Sequence, residues 1–117
     1  MDEKIIKVRD EKFAVVKSKN FYKNAFANIK NENELTVIIN EDEVRNEDII
    51  KIEKGWKLIT FDIVLDFGLV GFISKISSAL AQKGISIFVI SSYSTDHIMV
   101  KENKLNEALK VLKGLKI

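Results

Sequence analysis

The segment DIVLDFGLVGFISKISSALAQKGISIFVISSYSTDHIMV, residues 62–100, decides the fold. It reads as the end of a strand, a glycine-bearing loop, a helix, a strand, a tight polar turn and a further strand. Approaching it, Ile59, Phe61 and Ile63 alternate with Thr60 and Asp62, the period of a strand with one face on a core. From Leu69 the period lengthens. Leu69, Ile73, Ile76 and Leu80 recur at helical spacing, and Gly84 stands where a helix would stop. Ile85, Ile87 and Val89 then alternate with Phe88 and Ile90, and after the turn His97, Met99 and Lys101 alternate with Ile98 and Val100. Packing does not require the small and polar residues of DFGLVG at 66–71 and SSYSTD at 91–96. These two loops are the candidate recognition elements.

Working outward, Leu105, Ala108, Leu109 and Leu112 form a last amphipathic helix between Asn103 and Gly114. Upstream, two short strands fit residues 5–9 and 13–17, with Asp10 and Glu11 turning between them. Phe21, Tyr22, Ala25, Phe26 and Ile29 recur at helical spacing, with Asn20 as the expected cap. The β-branched run at 35–39 predicts a strand, and the acidic stretch 40–48 predicts a solvated turn. Ile49, Ile50 and Ile52 lead to Gly55, after which residues 56–65 read as one extended segment.

The second half is thus strand-helix-strand-strand-helix, with no final strand evident after it. That order belongs to the split βαβ, ferredoxin-like class of α+β sandwiches with antiparallel sheets. VIINEDEV at 37–44 echoes IMVKENKL at 98–105, each a strand followed by a polar helix start. Two tandem units are therefore expected, a divergent one over 1–55 and a more regular one over 56–117. Each is small for an independent core, so they are expected to pack as one body.

Composition narrows the function. Lys and Arg number 19 against 17 Asp and Glu, a net charge of +2, which supplies no strong basic field for nucleic acid. The central strands also lack the aromatic pairs on which an RNA-binding sheet stacks bases. There is no cysteine and one histidine, excluding thiolate chemistry, cysteine metal sites and paired-histidine sites. His97 is expected to be a half-exposed strand residue and Trp56 a packing anchor. No apolar run approaches the ~18 residues of a membrane span, and the charged start MDEK has no apolar signal region behind it. A cytoplasmic protein without metal or cofactor is expected.

The combination of GWKL at 55–58, LDFGLVG at 65–71, LAQKGISIF at 80–88, the 91–96 turn, IMV at 98–100 and the last helix carries a resemblance. The chain resembles small stand-alone ACT-domain proteins related to the CASTOR-type amino-acid sensors and to the regulatory ACT domains of aspartate kinases. The match covers nearly the whole chain, most strongly from Trp56 onward. The resemblance implies an amino-acid-binding regulatory protein without catalysis, paired side by side as a homodimer and reporting to a partner protein. By position, it implies that Gly68, Leu69, Val70 and Gly71 present backbone amides to the ligand, and that Ser92, Tyr93 and Asp96 contact it. The sequence departs from the family in its divergent first half and in Ser92, where threonine is common.

An amino acid offers a carboxylate and an ammonium. Unpaired N–H groups at a helix start suit the carboxylate, aided by about 0.3–1 kcal/mol from the helix dipole at an exposed site. Asp96 suits the ammonium; Asp66 near the same loop would repel a carboxylate, and could instead cap the helix or hold the ammonium. A simpler reading stands beside this one: Gly68 and Gly71 only turn the chain, and residues 91–96 only close a hairpin. On that reading the protein is an assembly module with vestigial ligand loops. An acylphosphatase-like enzyme would need a cation at the loop–helix junction, where this chain has Asp66, Phe67, Leu69, Val70 and glycines, with Lys75 a turn later.

Overall fold

The computed structural model describes residues 1–63 and 70–116. Its elements are β1 (Ile6–Val8), β2 (Phe13–Ser18), β3 (Ala27–Lys30), β4 (Leu35–Asn40), β5 (Ile49–Phe61), α1 (Phe72–Gln82), β6 (Phe88–Ser91), β7 (Asp96–Lys101) and α2 (Leu105–Lys113). The chain folds as two units, Asp10–Trp56 and Met1–Arg9 with Lys57–Ile117. The first nine residues thus belong with the C-terminal part, not with the segment that follows them.

In the unit built from both ends of the chain, the strands lie in the order β1-β5-β7-β6. β1 runs antiparallel to β5, Ile6 opposite Phe61 and Val8 opposite Ile59, and β6 runs antiparallel to β7. Strand, helix, strand, strand and helix follow in the expected order, and β1 fills the edge place that a strand after α2 would take in a ferredoxin-like sheet. The α+β, ferredoxin-like architecture is therefore present. β1 does not form a hairpin with β2, as the turn at Asp10 and Glu11 had suggested. Its pairing partner lies more than fifty residues away, where local turn chemistry carries no information.

Alternation and helical period set this core. Ile59, Phe61, Ile98 and Val100 from the sheet meet Phe72, Ile76 and Leu80 from α1 and Ala108 and Leu112 from α2. The Phe61 and Phe72 rings meet edge to face at 5.3 Å, the favoured geometry for opposed ring quadrupoles. α1 stops as the sequence indicates: Gly84 N–H bonds to Ala81 O and Ile85 N–H to Leu80 O, the paired bonds of a Schellman ending.

The Asp10–Trp56 unit is a four-stranded sheet in the order β3-β4-β2-β5. Ala14 lies opposite Ile39 and Val16 opposite Val37, and these four pack with Tyr22 as its core. The helix expected over 21–29 is absent: the chain turns and then forms β3 against β4. Asparagine chemistry explains the difference. The Asn28 side chain accepts from Tyr22 N–H and donates to Tyr22 O, and Asn20 donates to Asp48. Such bonds compete directly with helical backbone bonding. Tyr22 is buried while Phe21 is exposed, so the apparent helical stripe is not a buried face.

β5 passes through Gly55 where the sequence suggested a break. Phe13 lies opposite Trp56 and Val15 opposite Glu53, so β5 carries an extra residue there, a bulge. Gly55 has φ +79°, and a Cβ added to it meets nothing within 4 Å. Gly55→Ala therefore pays only for left-handed backbone. A loss of about 1–2 kcal/mol is expected in urea unfolding, and an unchanged midpoint would contradict the bulge.

Candidate functional site

Val70 and Gly71, the described end of the first recognition loop, and the β6–β7 turn lie at one end of the same sheet. Phe61 ends β5 and packs on Phe72, the first residue of α1. Thr60, one residue earlier, bonds through Oγ1 to His97 Nδ1 at 2.9 Å, the second residue of β7. The start of α1 and the β6–β7 turn therefore both lie where β5 ends. Among the predicted residues, Gly68 and Leu69 fall outside the described residues; Val70, Gly71, Ser92, Tyr93 and Asp96 fall within them.

Gly71 caps α1 from the left-handed region, φ +92°, with no side-chain cap and no acidic residue in the first turn. Only glycine takes this conformation without strain, and Lys75 N–H already returns to Gly71 O. The first backbone N–H groups of α1 have no partner within the helix, so this end favours negative charge. Val70, 92% exposed, stands beside it.

The β6–β7 turn is bonded largely to itself. Ser92 N–H and Ser92 Oγ both donate to Thr95 O at 2.9 Å, and Ser91 Oγ donates to Asp96 Oδ1 at 2.6 Å. Such bonds are what serine in a turn ordinarily makes. Two features remain for a ligand. Asp96 Oδ2 takes no hydrogen bond among the described residues, and Tyr93 is 83% exposed. Asp96 can take a cation, Tyr93 can cover an apolar group, and Ser92 has spent its proton within the turn.

His97 corrects the expectation of half-exposure: it is buried. Its imidazole is held on both sides, Nδ1 by Thr60 and Nε2 by Ser92 Oγ at 3.2 Å. Burial is the largest influence and pushes its pKa below the usual 6.5, with Arg9 acting the same way and Asp96 opposing. Alternation alone could not reveal this, because it assigns His97 a face without saying whether that face is covered.

The acidic stretch 40–48 is also not simply a solvated turn. Asp48 is buried and accepts from Asn20 Nδ2 at 2.6 Å, Tyr22 Oη at 2.5 Å and Arg45 Nε at 3.0 Å. Every neighbour is a donor, so the cluster is closed and structural. Among the described residues no group of three His, Asp or Glu side chains is placed to hold a metal ion, and no helix is long and apolar enough to cross a membrane.

A family model described as the ACT domain matches residues 51–114. Among solved structures, a protein of Agobacterium tumefaciens is similar with a TM-score of 0.79 and 22% identity over 92% of this chain and 85% of its own. A Vibrio cholerae protein of unknown function, described as a possible transport protein, gives the same TM-score and identity over 92% and 86%. The ligand-free regulatory subunit of aspartate kinase from Thermus thermophilus gives a TM-score of 0.64 and 8% identity over 95% and 97%. At these identities the likeness is one of fold. No curated protein matches the chain.

Proposed function

This chain belongs to the ACT domain family, and on that premise we propose that it is a cytoplasmic amino-acid-binding regulatory protein without catalysis of its own. One observation carries the reading. In the unit built from both ends of the chain the exposed large apolar side chains among the described residues are Val8, Ile63, Val70, Val89 and Tyr93; all but Val8 lie on the β6 edge, beside the end of β5, or at the α1 start and the β6–β7 turn. The helix-start donors and Asp96 lie at that same end. An amino acid placed there sets its carboxylate on the amides of Gly71 and the α1 start. Its ammonium meets Asp96, and its side chain meets Val70 and Tyr93.

Among the described strands β6 lies at one edge of this unit's sheet, and an edge bearing an exposed Val89 suits a second copy in a two-fold pair. The homodimer and a regulated partner protein belong to this proposal. A second reading, an ACT interaction module that has lost its ligand, is favoured by the internal use of the Ser91 and Ser92 hydroxyls.

Thermal shift against the standard amino acids separates the two. A ligand at about a hundred times its Kd stabilises by about 2.7 kcal/mol, a rise of roughly 10 °C. No response to any amino acid supports the interaction module. For a responding amino acid, Asp96→Ala is expected to weaken binding at least about thirtyfold, the low end of removing one partner from a desolvated charge pair. Unchanged affinity by calorimetry removes Asp96 from the site.

A further inference from the structure

Hydrogen positions in the His97 cluster follow from donor counting. A serine hydroxyl has one proton, and Ser92 gives its proton to Thr95 O. Toward His97 Nε2 at 3.2 Å it can only accept, so Nε2 carries a proton. In neutral imidazole Nδ1 is then the acceptor, and Thr60 Oγ1 donates to it at 2.9 Å. Each of these bonds fixes the next, from the backbone carbonyl of Thr95 through the imidazole to β5. The 92–95 turn is thereby tied to the neighbouring strand by one side chain.

We propose that His97 is a positioning residue and a proton-operated lock: neutral, it ties the 92–95 turn to β5 through Ser92 and Thr60, and protonated it lets the turn open. A proton on Nδ1 would face Thr60 Oγ1, whose hydroxyl must reverse to accept it. The resulting imidazolium is buried, and burying a charge is unfavourable unless it is paired. Opening the turn to water relieves this. Among the described residues, Asp96 beside His97 on β7 favours the charge and Arg9 opposes it, while Lys7 lies across from Thr60 on β1 and Ile90 across from His97 on β6. Burial lowers the pKa of the closed form, whereas in an opened turn the ring regains its ordinary value. The closed turn is therefore favoured above about pH 6.5 and loses ground as pH falls from there.

Resting on the amino-acid reading, the lock also gives the site a sign. An ammonium held by Asp96 cancels the charge that favours protonated His97, so amine binding and protonation exclude each other, and affinity falls in acid.

The chain has one histidine, so its imidazole resonances need no assignment. The experiment is a ligand-free NMR titration of the wild type and His97→Gln, following imidazole tautomer and amide protection at Ser92. The glutamine amide keeps a donor toward Ser92 and cannot titrate. In the wild type an Nε2–H tautomer is expected at neutral pH, with protection at Ser92 falling roughly five- to tenfold as the ring titrates, equivalent to about one hydrogen bond. In His97→Gln the protection factor stays flat over the same range. A ring that titrates with no change at Ser92, or one that stays neutral down to acid unfolding, overturns the lock. A turn that loosens as expected in a protein that binds no amino acid upholds the lock and removes only the ligand reading.

Discussion

Phe61→Ala is expected to lower the free energy of unfolding by about 3–5 kcal/mol, the usual loss when a buried aromatic is truncated. Domains of this size have only about 5–15 kcal/mol in total, so the variant sits near the edge of folding, with Tm lower by roughly 15–20 °C. Phe61 is fully buried at the end of β5, and its ring meets Phe72 at 5.3 Å. The alanine cavity opens between the sheet and the first turn of α1. Phe61→Leu keeps most of the apolar volume and gives up chiefly the ring pair, about 0.5–1.5 kcal/mol. Urea unfolding of both variants checks this. A loss below about 1 kcal/mol for alanine would mean that the site collapses freely, and that Phe61 does not hold the α1 start in place.

The stretch from Lys57 onward was legible because its information is local. Ile59 and Phe61 alternate, Ile76 and Leu80 follow at helical spacing, and Gly84 ends the helix through bonds to residues at most five positions away. What the sequence concealed depends on distant partners. β1 pairs with the end of β5, and no pattern in residues 5–9 identifies that partner. The spacing of Phe21, Tyr22 and Phe26 is helical, yet only Asn28 and Asp48 reveal that the segment is held by side-chain bonds. Asp48 and His97 look like surface residues until Tyr22 and Thr60, 26 and 37 positions away, are brought beside them.

The candidate site divides in the same way. A glycine before a helix and a serine-rich turn before an aspartate are visible in the letters, and topology brings them to one end of one sheet. Which protons the turn consumes is not visible. Ser92 reads as a ligand contact by resemblance and as a turn residue by its chemistry, and the structure shows its hydroxyl and that of Ser91 bonded within the turn. Asp96 stands out because, among the described residues, one of its carboxylate oxygens takes no hydrogen bond, a property of coordinates rather than of sequence.

Asp48→Ala is the second large effect, with a fall in Tm of roughly 10 °C or more, because three donors lose one acceptor together. The carboxylate takes bonds from Asn20, Tyr22 and Arg45, and the Arg45 guanidinium also lies 4.4 Å above the Tyr22 ring. An acceptor-only group is what such a cluster requires, and alanine leaves the buried tyrosine hydroxyl, which still accepts from Arg45 N–H, with no acceptor for its own proton. The bond from Tyr22, followed by that from Asn20, holds the Asp48 carboxyl below its usual 3.8. Its contribution to stability is whole above about pH 4 and is lost as pH falls through the depressed value. Burial, and then the bond to Asp48, raises Tyr22 above its usual 10.0, so its contribution is whole below about pH 10 and is lost as pH rises through the raised value. Tm measured across this range should fall at both ends in the wild type. Asp48→Ala flattens the acid limb and Tyr22→Phe the alkaline one, with the smaller loss at neutral pH for Tyr22→Phe, which keeps the ring. An acid limb that persists in full in Asp48→Ala would place the acid sensitivity elsewhere and reduce this cluster to a minor element of the unit's stability.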